Sequence, residues 1–174
     1  MGIAERKQRE KKHRKKSIIS SAKKIIKKSG VEGMSMNQLA ELTELNKATL
    51  YLYFGNKDDL IDAIVYEGLL LLEKEFQKVA DESESGLDKV LNLIQKMFDF
   101  YKKYPVYFYT FNHQERRREN ERLETSYSIK GNEKASGIFE KIADGLRQGV
   151  KEGSIRKDID SNAFLILLFA QIYG

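Results

Sequence analysis

Apolar residues in this chain recur with helical spacing almost throughout, and no strand-like alternation persists anywhere. Ile18, Ile19, Ala22, Ile25 and Ile26 form one helix face, with Lys23, Lys24, Lys27 and Lys28 on the other. Ser29-Gly30 stops that helix. Ser35, with Gln38 three residues on, reads as a capping box that opens a second helix. Asn46 is placed to cap a third, and Asn56 with Asp59 a fourth. The fourth is predicted to run from Lys57 to about Ala80 on Leu60, Ile64, Leu69, Leu72, Phe76 and Val79. It is long enough to leave one compact unit and enter another.

D-E-S-E-S-G at 81–86 is a polar connection. Ser85 with Asp88 opens a fifth helix faced by Leu87, Val90, Leu91, Ile94, Met97, Phe98 and Tyr101. Pro105 forces a break and begins a short segment, P-V-Y-F-Y-T-F. The polar stretch from His113 to Lys134 has weak periodicity and is read as helical. Ile138, Phe139, Ile142, Ala143, Leu146 and Val150 define a further helix ending near Gly153. Asp160 or Ser161 caps a last one, A-F-L-I-L-L-F-A-Q-I-Y. That helix is apolar all round, so it needs cover on both sides. A second subunit, chain beyond Gly174, or both would supply it. The fold class is all-α, and a single proline in 174 residues fits long uninterrupted helices.

The segment from Ser35 to Leu60 carries the function. Two short helices joined by a tight turn, with a third starting at once, are the layout of a helix-turn-helix at about 35–54. Ala40 lies where the two helices cross, and Leu39, Thr43, Leu45 and Leu50 take the usual buried places. The turn wants Gly, because one residue there is left-handed; Glu44 holds that place at a cost of roughly 1 kcal/mol. The second helix exposes Lys47, Ala48, Thr49, Leu52 and Tyr53, while Leu50, Tyr51 and Phe54 are expected to pack inward. Asn46, Lys47 and Ala48 at its start would meet base edges, small Ala48 allowing approach to a thymine methyl. Thr49, Tyr53 and Lys57 suit phosphate contacts. The free N–H groups that follow Ser35, beginning at Met36, form an anion site.

Charge sharpens this picture. Residues 1–28 carry 12 Lys/Arg and 2 Glu, a net +10, whereas the other 146 residues net −5. One end therefore suits a polyanion. Residues 1–12 are too polar to pack and are read as a basic flexible arm or a frayed extension of the first helix. Arg6 to Lys16, Arg14 among them, are expected to track phosphates or enter the flanking minor groove.

The stretch S-M-N-Q-L-A-E-L-T-E-L-N-K-A-T-L-Y-L-Y-F-G-N-K-D-D-L resembles the DNA-binding domain of TetR/AcrR-type transcriptional regulators. T-L-Y-x-Y-F-x-N-K-x-x-L, Thr49 to Leu60, is its specific part. The resemblance is strong over 13–70 and consistent in layout to 174. It implies a three-helix DNA-binding head, a connecting helix, and a helical ligand-binding and dimerisation body over 71–174 that here lacks the family's last helix. It further implies a homodimer through the C-terminal helices, a palindromic double-stranded DNA operator, and repression relieved by a small molecule. By the family pattern Lys47, Ala48, Thr49 and Tyr53 face DNA and Lys57 sits on a phosphate.

Eight of the chain's 18 aromatics fall between Phe98 and Phe111. Rings at helical spacing can be plain core. They can also line a chamber for a hydrophobic or aromatic effector, with Met97, Tyr101, Tyr104, Phe108, Phe111 and Phe139 as walls and His113 or Gln114 as a polar anchor. The first option yields a competing function: a ligand-independent, DNA-bound architectural or replication-linked protein. An enzyme is not expected. There is no cysteine, only His13 and His113, no P-loop, no G-x-S-x-G and no metal-ligand spacing, so no cofactor or metal is called for. No apolar run approaches the roughly 20 residues that span a bilayer, and the basic start lacks the apolar stretch of a secretory signal. A soluble cytoplasmic protein without a membrane partner is the expectation.

Overall fold

A computed structural model describes residues 2–120 and 124–173. The described residues form helices throughout: α1 Ile3–Ser29, α2 Met36–Thr43, α3 Lys47–Tyr53, α4 Lys57–Glu82, α5 Gly86–Lys103, α6 Pro105–Asn120, α7 Ser126–Glu152 and α8 Ser161–Tyr173. Among them, no helix is long and apolar enough to cross a membrane.

The caps act as their residue types dictate. Ser35 Oγ accepts the Gln38 N–H, and the Gln38 side chain returns to the Ser35 N–H. Asn46 accepts from the Thr49 N–H at 2.7 Å, and Asn56 from the Asp59 N–H at 2.7 Å. Ser85 caps α5 and Asp160 caps α8. Thr125 and Ser128 exchange hydrogen bonds reciprocally and open α7 twelve residues ahead of the apolar face at Ile138. The weak periodicity between His113 and Lys134 therefore covers the end of one long helix and the start of another; residues 121–123 of that stretch lie outside the described residues.

Of the two readings of the N-terminus, flexible arm or extension of the first helix, the structure has the extension. Residues 3–12 are the first turns of α1, built from good helix formers. The Gly2 N–H donates to Glu5, and Arg6 pairs with Glu10 four residues on. Pro105 stands at the first position of α6, where its missing N–H costs nothing. The short segment expected after it continues to Asn120.

The chain divides into two compact units. The first is Met1–Val65 with Pro105–Ser128. In it α1 packs on α2 and α6, and α2 packs on α3. Ile18, Ala22, Ile26, Met34, Leu39, Leu50, Phe54, Leu60, Ile61 and Ile64 are its buried core. The turn after α1 needs a glycine at position 33, since a Cβ there would collide with the Ser29 carbonyl.

The second unit is Tyr66–Tyr104 with Ile129–Gly174. Leu72 and Phe76 of α4, Leu93 and Met97 of α5, and Ile142 and Leu146 of α7 are buried in it. Gly86 at the start of α5 abuts Gly149 of α7 so closely that a Cβ would strike backbone. The Glu152 carboxylate accepts the Gly86 N–H there. That hydrogen bond, with one from Ser154, holds Glu152 below the usual carboxylate range.

This division differs from the boundary expected at residue 70. Residues 105–128, assigned from sequence to the body, cluster with the first unit. The reason is polar: α6 and the residue before α7 converge on Asp62, a carboxylate that is 0% exposed. Asp62 accepts from Gln114 at 2.8 Å, Arg117 at 2.9 Å and Thr125 at 2.7 Å.

Candidate nucleic-acid interface

The helix-turn-helix is specified by its own few residues. Glu44 adopts φ 54°, ψ 32°, and is the one non-glycine residue with positive φ among those described. The Leu45 N–H reaches the Ala40 carbonyl and the Glu44 N–H the Glu41 carbonyl. This pattern satisfies the last carbonyls of α2 and turns the chain into α3. Leu39 and Leu50 are fully buried; Ala40, Thr43 and Leu45 are half-buried. The turn expected from a left-handed residue thus forms with Glu in glycine's place.

α3 is fixed from both ends. Asn46 caps its start, while Leu50 and Phe54 anchor it in the core. Lys47, Ala48 and Leu52 are exposed, and Thr49 and Tyr53 half-exposed, along its outer side. Tyr51, expected to pack inward, is 47% exposed. A seven-residue helix has only two turns to bury, and Leu50 and Phe54 fill the inward positions.

Ser35 is exposed and Asn46 uses its side-chain oxygen on α3 while remaining exposed. Met36 is 9% exposed, with its side chain in the core, which leaves its backbone N–H, the group expected to serve an anion. Lys57, at the first position of α4, is half-buried.

Arg14 is exposed and shares an open groove of about 690 Å³ with Tyr53. Its neighbour Lys15 points elsewhere: the ammonium lies 5.2 Å from the Phe54 ring and 5.3 Å from the Tyr127 ring, and donates to the Tyr127 hydroxyl. Lys23 likewise donates to the Tyr107 hydroxyl and lies over its ring. The basic residues of α1 thus separate into those that tie the head together and those left facing solvent.

The residues expected to line an effector chamber are divided between the two units. Met97, Tyr101, Tyr104 and Phe139 belong to the second unit, and Phe108, Phe111 and His113 to the first. Met97 is buried core, and the Tyr101 and Tyr104 rings pack on Phe100 at 5.9 and 5.1 Å. His113 Nδ1 meets Glu32 at 2.9 Å and lines a groove of about 400 Å³ with Val31 and Asn112. Gln114, the other anchor considered, is committed to Asp62.

Sequence reasoning missed Asp62 and Arg117. Burial alone would lower the Arg117 pKa, but hydrogen bonds and charge from Asp58 and Asp62 more than offset it and hold it above its ordinary value. The available signal was a lone Asp between Ile61 and Ala63, inside an otherwise apolar run.

Comparison with known proteins agrees with this geometry. Residues 18–64 match the family of bacterial regulatory proteins described as tetR. The uncharacterized HTH-type transcriptional regulator YhgD of Bacillus subtilis (strain 168) is 29% identical over 160 residues, covering 88% of this chain and 78% of that protein. The fold is similar to that of PfmR from Thermus thermophilus, a TetR family transcriptional regulator, with TM-score 0.70, 23% identity, and 89% and 84% of the two chains covered. It is also similar to AibR, solved in complex with isovaleryl coenzyme A and operator DNA, with TM-score 0.72, 19% identity, and 92% and 84% covered.

Proposed function

We propose, from the premise that the chain belongs to the TetR family of transcriptional regulators, that it represses transcription by placing α3 in the major groove of a palindromic operator, as a homodimer in the cytoplasm. The family is one of HTH-type regulators and not of enzymes. The observation that carries the reading is α3 itself. It is capped, anchored by Leu50 and Phe54, and presents Lys47, Ala48, Thr49 and Tyr53 outward, with Tyr53 sharing a groove with Arg14. Asn46, Lys47 and Ala48 read base edges; Thr49, Tyr53, Lys57 and Arg14 hold phosphates, as do the N–H groups after Ser35.

A small hydrophobic effector bound in the second unit shifts the population away from the DNA-bound form, by no more than its differential affinity for the two forms. The acyl thioester held by AibR supports an acyl chain as one candidate. Two heads must sit about 34–36 Å apart to read successive major-groove faces, so an effector that favours another spacing releases the operator.

Selection from randomised duplex DNA should recover a two-fold symmetric motif. Lys47→Ala should then weaken binding to that motif about tenfold or more. Isovaleryl coenzyme A, or a longer acyl homologue, should lower operator affinity. Recovery of no motif overturns the reading. A motif that no acyl thioester or aromatic acid affects favours the ligand-independent alternative.

A further inference from the structure

We propose that the N-terminal half of α1 is a second DNA-contacting surface, a stripe of Lys7, Lys11 and Arg14 that grips the phosphate backbone flanking the bases read by α3. The proposal rests on the DNA-binding reading and deepens it, extending the contact from Arg14 back along one face of α1 to Lys7. Lys7, Lys11, Arg14 and Ile18 fall at i, i+4, i+7 and i+11, hence on one helix face. At Ile18 and beyond that face is buried in the head. Ahead of Ile18 the same face is cationic and exposed.

Its groove is completed by Tyr53, the last residue of α3, so the stripe begins where the recognition helix ends. The segment's two acids, of which Glu10 lines the same groove, are outnumbered by eight Lys/Arg between residues 5 and 16. Glu5 accepts the Gly2 N–H, and Glu10 pairs with Arg6. Lys7 to Arg14 spans about 10 Å at 1.5 Å per residue. Phosphates of one strand advance about 3.4 Å each along the duplex, so the stripe covers about three phosphate steps. Because the segment is helix and not a loose arm, the contacts fall on one face and at a fixed distance from α3.

An anionic membrane is the less favoured partner. Ile3 is the one large apolar residue ahead of Ile18 in the described segment, too little to anchor a helix in an interface.

The test compares two variants of equal charge in the full chain, K7Q/K11Q on the stripe and K12Q/K16Q on the opposite face. Glutamine keeps helix propensity, and circular dichroism checks that both fold. On a duplex selected by the wild-type protein, the slope of log affinity against log salt should flatten by about 1.8 per bound subunit in K7Q/K11Q. It should stay unchanged in K12Q/K16Q. Hydroxyl-radical protection should shrink by about two flanking nucleotides in the first variant alone.

An unchanged slope in K7Q/K11Q, or an equal fall in both variants, overturns the proposal. So does stripe-dependent binding to phosphatidylserine vesicles with the DNA slope unaltered. A wild-type protein that selects no duplex would instead remove the DNA-binding reading on which the proposal stands.

Discussion

The α2–α3 unit and α6 belong to the same compact unit but are held in it by opposite means. Ser35 with Gln38, Asn46 with Thr49, and Glu44 with Ala40 and Glu41 all act within five residues of chain. α6 and the start of α7 are attached through Asp62, whose partners lie 52, 55 and 63 residues away in sequence. The lesson is about failure modes. A locally capped reading helix loses stability in small separate steps. An element whose long-range ties centre on a buried carboxylate loses much of it in one step, because breaking the pair strands the partner charge.

Asp62→Ala is therefore the largest expected effect. Arg117, whose side chain is 11% exposed, would keep only Asp58, while Gln114 and Thr125 would lose their acceptor. Removing one member of a buried pair costs about 3–5 kcal/mol, which urea denaturation of the full chain would read directly. A loss below about 1 kcal/mol would place the network among exposed ion pairs and erase the contrast.

Asn46→Ala should cost about 1 kcal/mol, the usual value of an N-cap. Asn46→Asp retains an acceptor for the Thr49 N–H and should leave stability nearly unchanged. The two variants separate the cap from the DNA contact. If Asn46 also faces the duplex, the aspartate variant stays folded yet binds the selected operator more weakly, through its added negative charge beside phosphate. Equal unfolding midpoints for the alanine variant and wild type would show that the cap contributes nothing.

The same contrast governs what could be read from sequence. The caps at Ser35, Asn46, Asn56, Ser85 and Asp160 were legible because each acts within three residues of itself. The left-handed turn at Glu44 was legible because its geometry is set by adjacent backbone. The placement of residues 105–128 was not, since Gln114, Arg117 and Thr125 meet a carboxylate more than fifty residues back and leave no periodic trace. The aromatic run could not be apportioned from sequence for a related reason. Pro105 opens a new helix inside it, so Phe100, Tyr101 and Tyr104 stay with α5 while Tyr107 turns to Lys23 of α1. Composition registers rings, and only the fold decides which unit each ring joins.

The smallest effect is also the sharpest check on the local side of the comparison. Glu44 holds φ 54° with a Cβ that crowds its own backbone, a strain of about 1 kcal/mol that glycine avoids. Glu44→Gly should raise stability by somewhat less than that, because glycine also loses more freedom on folding. Glu44→Ala keeps the Cβ and removes the charge, so it should bring no gain. If alanine stabilises as much as glycine, the cost at this position lies in the carboxylate and not in the backbone. If glycine alone stabilises, hydrogen exchange should show the gain at the Leu45 and Thr49 amides and leave the α6 amides near Gln114 unmoved. That outcome would confirm that the recognition unit and the Asp62 attachment are specified independently within one core.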